Sequence, residues 1–273
     1  MPSGKGLSDE LMISEALRLV EGANERGIAL RLLGALAIRI HSQEYGELHR
    51  KLSRLEIEER SFSDIDLIGY GKQRKEIRGL MEKDLGFQVS RQFLLLHGRE
   101  RLLYYHPKGL YHVDIFFDKL GFSHDLHFGS EPGRGRLELD YPTIPLADLL
   151  LEKIQIHEIN EKDIKDVMVL LRAHELEGNV DKDVINVDYI VKILADDWGF
   201  WYDAKTNLGK VLEFSRACYE RGLIDRNDHA NIAVKINKLI RLIEEGPKSE
   251  RWRKRAKLGT RKQWWRDVDE IVR

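Results

Sequence analysis

Residues 61–71, SFSDIDLIGYG, set two carboxylates one residue apart inside an apolar run. Residues i and i+2 of an extended strand project to one face. Asp64 and Asp66 therefore stand side by side, while Ile65 and Leu67 pack into the core. Carboxylates are among the costliest side chains to hold near a core without a partner. Two of them repel, so the ionised pair needs a cation between them. A hard divalent cation such as Mg²⁺ takes oxygen ligands and is commonly held by one or two carboxylates plus substrate phosphates. The stretch YHVDIFFD repeats the device, with Asp114 between Val113 and Ile115. If that strand neighbours the first, three carboxylates converge, the ligand set of a two-metal phosphoryl-transfer site.

Upstream, LLGALAI reads as a strand-to-helix turn. Small residues there let backbone N–H groups approach a phosphate, and the helix N-terminus favours negative charge. Gly34 and Ala35 hold those positions.

The surrounding pattern is mixed. Ser8 to about Glu25 has an N-cap and helical apolar spacing. A strand is expected over Ile28–Leu33 and another over Ile65–Ile68, with a helix over KQRKEIRGLMEKDL. Further strands are expected around Phe87–Val89, Phe93–His97, RLLYYH and YHVDIFF. The charged stretch 43–60 is an inserted helix or a loop. After YPTIP the spacing becomes helical throughout. The expected fold class is α+β: a mixed sheet flanked by helices over residues 1–145, followed by an all-α domain over 146–273.

The order of a glycine turn opening a helix, then SDIDL, then a later strand aspartate resembles the DNA polymerase β-type nucleotidyltransferase superfamily. The segment TIPLADLLLEKIQIHEINEKDIKDVMVLL is similar to the AbiEii-type, toxin-like branch of it. The resemblance covers roughly residues 28–172 and departs in two places. Ala35 stands where a second glycine or serine is common, and the 43–60 insertion lengthens the path from Gly34 to Asp64. It implies a nucleotidyltransferase-type sheet and an enzyme moving a nucleoside monophosphate from an NTP, ATP among them, to a hydroxyl acceptor. By the resemblance, Asp64, Asp66 and Asp114 bind two Mg²⁺ ions, or Mn²⁺ in their place, and Asp114 helps activate the acceptor. Gly34 contacts the phosphates with Ala35 beside it, and Ser63 offers a hydroxyl. Lys153 reaches the triphosphate, and Asp163 or Asp166 orients it or an acceptor group. The acceptor is a tRNA, a protein or a small molecule, and an antitoxin partner is implied by the toxin relatives. The alternative is a catalytically silent nucleotide- or RNA-binding module of the same fold.

Charge singles out the other end. From Arg251 to Arg266 eight residues are basic and none acidic, so the net −1 becomes −9 once those eight cations are set aside. With Trp252, Trp264 and Trp265, this segment is either an RNA contact or a terminal amphipathic helix docking its tryptophans on the helical half. Docking is the expected arrangement, with DDWGFWYD as helical core or, alternatively, the lining of an acceptor pocket. His124 and His127 fall on opposite faces of a strand, so SHDLHF is not expected to bind a transition metal. The loop EPGRGR could bring Arg134 or Arg136 near an anion. A single cysteine, no signal-type apolar segment and no run of about 20 apolar residues lead to the expectation of a cytoplasmic protein without membrane partners.

Overall fold

The computed structural model describes residues 7–54 and 61–268. They form two units, each with its own core. Residues up to Ile40, Leu55–Leu120 and His127–Pro145 belong to the first, and His41–Arg54, Gly121–Leu126 and Leu146–Arg273 to the second.

The first unit opens with α1 (Asp9–Asn24), capped by the Ser8 hydroxyl, which accepts from the Leu11 amide. Its inner stripe, Met12, Ala16, Leu19, Val20 and Ala23, is buried. Then come β1 (Leu30–Leu32) and α2 (Gly34–His41). After α3 (Gly46–Lys51), β2 (Asp64–Gly69) brings both aspartates into the sheet. The helical stretch after it is α4 (Arg74–Arg78), prolonged to Asp84 by a wider turn in which the Leu85 amide donates to the Leu80 carbonyl. β3 (Gln88–Val89), α5 (Arg91–His97), β4 (Arg101–Tyr105) and β5 (His112–Phe117) complete the sheet region.

The sheet order is β1-β2-β5-β4-β3, with β2 and β5 parallel and the other pairs antiparallel. Ile65, Leu67, Leu102, Tyr104, Val113 and Ile115 are fully buried and line one face. That apolar face is what the alternating pattern demands. The carboxylates lie on the other. Residues 142–144 run beside β1, with Leu32 and Thr143 bridged in parallel.

The strand expected over Phe93–His97 is instead the helix α5. Ser90 caps it, accepting from the Phe93 amide. Leu95 and Leu96 are exposed while Phe93 is buried, the one-sided pattern of a helix and not the alternation of a strand. Of the 43–60 stretch, α3 and a short turn at 43–45 are described, and 55–60 lie outside the described residues.

Short strands β6 (Lys119–Gly121) and β7 (Asp125–His127) stand where the chain passes between the units. The second unit is helical: α6 (Leu146–Ile154), α7 (Glu161–Ala173), α8 (Val187–Leu194), α9 (Trp198–Glu220), α10 (Arg226–Glu245) and α11 (Glu250–Ala256). Asn160, Asn186, Asp197 and Asp225 cap α7 to α10, each accepting from the amide three residues on. The all-α expectation holds, with one small addition. A two-residue parallel pair, β8 (Leu176–Glu177) with β9 (Ile185–Asn186), connects α7 to α8. Buried Leu176 and Ile185 anchor it, and the polar residues between them lack helical spacing.

Residues 41–54 belong to this unit through polar contacts with α7. Arg172 donates to the Tyr45 hydroxyl at 2.8 Å, and Arg54 pairs with Asp166 at 2.9 Å. His174, beside Ser42 and edge-on to His41, is pushed down to about 4 by burial, with His41 adding to the effect. A depressed histidine pKa stabilises the fold above the ordinary value of 6.5. That contribution falls away between pH 6.5 and 4, as the unfolded chain takes up a proton that the folded site refuses. The loss amounts to about 1–3 kcal/mol. Thermal midpoints of the wild type should therefore drop over that window more steeply than those of His174→Asn, and parallel curves would contradict this.

The tryptophans dock on the helical unit as expected, but only Trp252 does so from a helix: Trp264 and Trp265 follow α11 and the turn at Gly259–Arg261 in irregular chain. The Trp264 indole donates to Asp203 at 3.0 Å and meets Tyr202 edge-on, and Trp265 stacks on His157 at 3.7 Å. Trp252 lies edge-on to Trp201. A Cβ on Gly199 would come within 2.8 Å of the Trp264 carbonyl, so this position in α9 admits only glycine without a shift. Trp198 and Phe200 are buried core.

Candidate functional site

Register brings the aspartates together. On the parallel pair β2–β5, Asp64 lies opposite His112 and Asp66 opposite Asp114. Strand alternation puts all four on one face. One carboxylate oxygen from each of Asp64, Asp66 and Asp114 lies within 4.8 Å of the others. Asp64 and Asp66 are half-buried and Asp114 is fully buried. Among the described residues this is the one cluster of three or more potential metal ligands.

Gly34 closes against this face. Its φ is +71°, a left-handed conformation that non-glycine residues adopt only at a cost. A Cβ there would stand 3.1 Å from Oδ2 of Asp66. The preceding residue is tied to the same strand, with the Leu33 amide donating to the Asp66 carbonyl at 3.1 Å. α2 begins at Gly34, so the amides of Gly34 and Ala35 belong to its unpaired first turn. Gly34→Ala should cost about 1–2 kcal/mol from backbone conformation and more from the contact with Asp66. A thermal midpoint unchanged in that variant would contradict the turn's role.

Ser63 donates to Oδ1 of Asp64 at 3.0 Å and so orients that carboxylate. Two groups on this face were not anticipated. His112 approaches Asp64, Nε2 to Oδ2, at 4.0 Å. Its position two residues before Asp114 is a signal the pattern does carry. Arg101 is the second. Its Nε donates to Oδ1 of Asp114 at 2.9 Å, and its Nη2 lies 2.7 Å from Oδ2. On β4 Arg101 pairs with Phe116, so Asp114 is its diagonal neighbour on the same face. The guanidinium also packs over the Phe116 ring, 4.5 Å from its centroid.

Lys153 and Asp166 belong to the second unit. Lys153 on α6 is nearly buried and reaches Asp163 at 2.7 Å and Asp166 at 3.0 Å, both on α7. Arg54 donates from Nε to both oxygens of Asp166. Burial disfavours the Lys153 ammonium, but the facing Asp163 and Asp166 outweigh it and hold its pKa above the ordinary lysine value. Burial likewise opposes the Asp166 anion, yet Lys153 and Arg54 hold its pKa below the usual carboxylate range. Lys153 and Asp166 are therefore both charged at neutral pH.

Of the remaining candidates, His124 donates from Nε2 to Asp203 at 2.8 Å, and Asp203 also accepts from Nδ1 of His157 at 2.9 Å. Arg134 pairs with Glu131 on the loop surface.

The donor set fits a hard cation. Three carboxylates converge, two of them reach solvent, and the neighbouring glycine leaves room beside Asp66. No helix is long and apolar enough to cross a membrane among the described residues. Comparison with protein-family models, with curated proteins and with solved structures returned no match.

Proposed function

We propose that the chain is a divalent-cation-dependent nucleotidyltransferase of the DNA polymerase β type. The observation that carries this reading is the register of β2 on β5, which turns a sequence pair and a distant aspartate into one three-carboxylate face. The Gly34 turn against that face supports it.

Asp64, Asp66 and Asp114 would hold Mg²⁺ or Mn²⁺. Bound there, the cations supply charge neutralisation at the α-phosphate and on the leaving pyrophosphate. The chain's own residues position the reactants. Gly34 lets the triphosphate approach beside Asp66, Ser63 holds Asp64 in one orientation, and the first-turn amides of α2 favour the phosphates. The acceptor oxygen forms a bond to the α-phosphorus, the α–β bridging bond breaks, and pyrophosphate departs. The hydroxyl proton passes to a carboxylate of the face, Asp114 by the family resemblance. Lys153 carries a permanent charge and serves no proton transfer; its assignment to the triphosphate is part of this proposal. The acceptor is a tRNA, a protein or a small-molecule hydroxyl, and an antitoxin is an expected partner if the toxin-like reading holds.

A second reading, a catalytically silent nucleotide- or RNA-binding module, is favoured by the Arg101 fork, which already neutralises Asp114. RNA contact by 251–266 would rest on phosphates alone, through exposed cations such as Arg253, Lys254 and Lys257. The segment's tryptophan rings are engaged within the chain.

Incubation with each α-labelled NTP, Mg²⁺ and total cell extract tests the proposal. Label transferred to an extract component, with matching pyrophosphate release, is the expected result. No transfer from any NTP, with NTP binding retained, would favour the silent module.

A further inference from the structure

Asp114 has no exposed surface, and both of its oxygens meet one guanidinium. A buried carboxylate requires a compensating charge, and a bidentate arginine is the strongest that a side chain provides. Arg101 is itself mostly buried and packs over Phe116, with the Phe93 ring 5.6 Å away. The same carboxylate offers an oxygen to the cluster with Asp64 and Asp66. A guanidinium and a divalent cation would thus draw on one anion and repel each other across it.

We propose that Arg101 is an internal counter-ion of the aspartate face, holding the charge position at Asp114 that a cation takes over, and so weakening and tuning cation binding. This rests on the metal-dependent reading above. It makes a prediction opposite in sign to a merely supporting role. If Arg101 only braced the sheet, its removal would loosen the face and weaken cation binding. As a counter-ion, its removal takes the bidentate positive charge from a fully buried carboxylate, which costs stability in the protein alone and is relieved when a cation enters. Removing a unit charge next to the site should lower the half-saturating cation concentration by about tenfold or more. Lysine keeps the charge but loses the fork, and a flexible ammonium yields more readily than a planar guanidinium.

The experiment is a titration of the full chain with Mn²⁺ alone, read by thermal shift, for the wild type, Arg101→Lys and Arg101→Met. Half-saturating Mn²⁺ is expected to fall in that order, with Arg101→Met melting lowest in chelator and closing the gap as Mn²⁺ is added. Should Arg101→Met fail to fold, Arg101→Lys against the wild type decides. Binding in the wild type with equal or weaker binding in the variants would overturn the proposal and leave the metal-dependent reading standing. Binding that appears only in the variants would support it. No Mn²⁺ binding in any of the three would overturn both.

Discussion

Asp64→Asn and Asp66→Asn should each lower cation-dependent NTP turnover by about a thousandfold or more while the protein stays folded. Cation stabilisation of transition-state charge is worth several kcal/mol, and each 1.36 kcal/mol is a factor of ten in rate. An amide keeps the shape of the carboxylate but removes the charge that holds the cation. Stability should not suffer. Both side chains are half-buried in the first half of β2, whereas Ile65, Leu67 and Ile68 are the fully buried side chains of that strand. Removing one of three carboxylates whose oxygens lie within 4.8 Å relieves repulsion, so the metal-free thermal midpoint should hold or rise. Circular dichroism and melting curves beside pyrophosphate release make the check. Full turnover in both variants would end the assignment, and joint loss of fold and turnover would show that the aspartates are structural.

Asp166→Asn carries the largest expected effect on stability. Asp166 is fully buried between Lys153 and Arg54, which reach it from different parts of the chain. Without its charge, Lys153 keeps Asp163 at 2.7 Å, but Arg54 faces a neutral amide. Breaking a buried ion network by removing one partner costs about 3–5 kcal/mol. For a chain of this size that lowers the midpoint by roughly 10 °C. Replacing both partners, in Lys153→Met with Asp166→Leu, should recover part of the loss, because the most deeply buried ion pair is removed together and the charges left behind, Arg54 and Asp163, both have some access to solvent. A shift of under about 2 °C in Asp166→Asn would mean that the network carries little stability. The comparison also separates two roles for Lys153. If the lysine acts only within this network, Lys153→Met changes melting and turnover in proportion to folded protein. If it also meets the triphosphate, KM for NTP rises beyond that loss.

The strand aspartates were legible because a period of two is written directly in residue spacing, and SDIDL and YHVDIFF both obey it. Their convergence was conditional on the two strands being neighbours. That adjacency, and the register opposing Asp66 to Asp114, is a tertiary fact. Arg101 was illegible for the same reason, since its bond to Asp114 depends on the diagonal offset between β4 and β5. Phe93–His97 was misread although Ser90 stood in view as a cap, because a short apolar run satisfies both strand and helix patterns. Lys153 and Asp166 were each visible as residues, but Arg54, 112 positions away from Asp166, was not. The docking of Trp264 and Trp265 was anticipated because the basic segment is short and holds few aromatic residues, but the helix expected to carry them ends at Ala256. Its anchor, the indole bond to Asp203, becomes visible only in the packed unit.

The central claim is that Asp64, Asp66 and Asp114 together hold the cations on which nucleotidyl transfer depends. Electron paramagnetic resonance of free Mn²⁺, titrated with wild-type protein and with the Asp64→Asn/Asp66→Asn double variant, tests it most directly. The account predicts saturable loss of the free-ion signal with the wild type, deepened by NTP, and little or none with the folded double variant. Equal Mn²⁺ uptake by both proteins would contradict it.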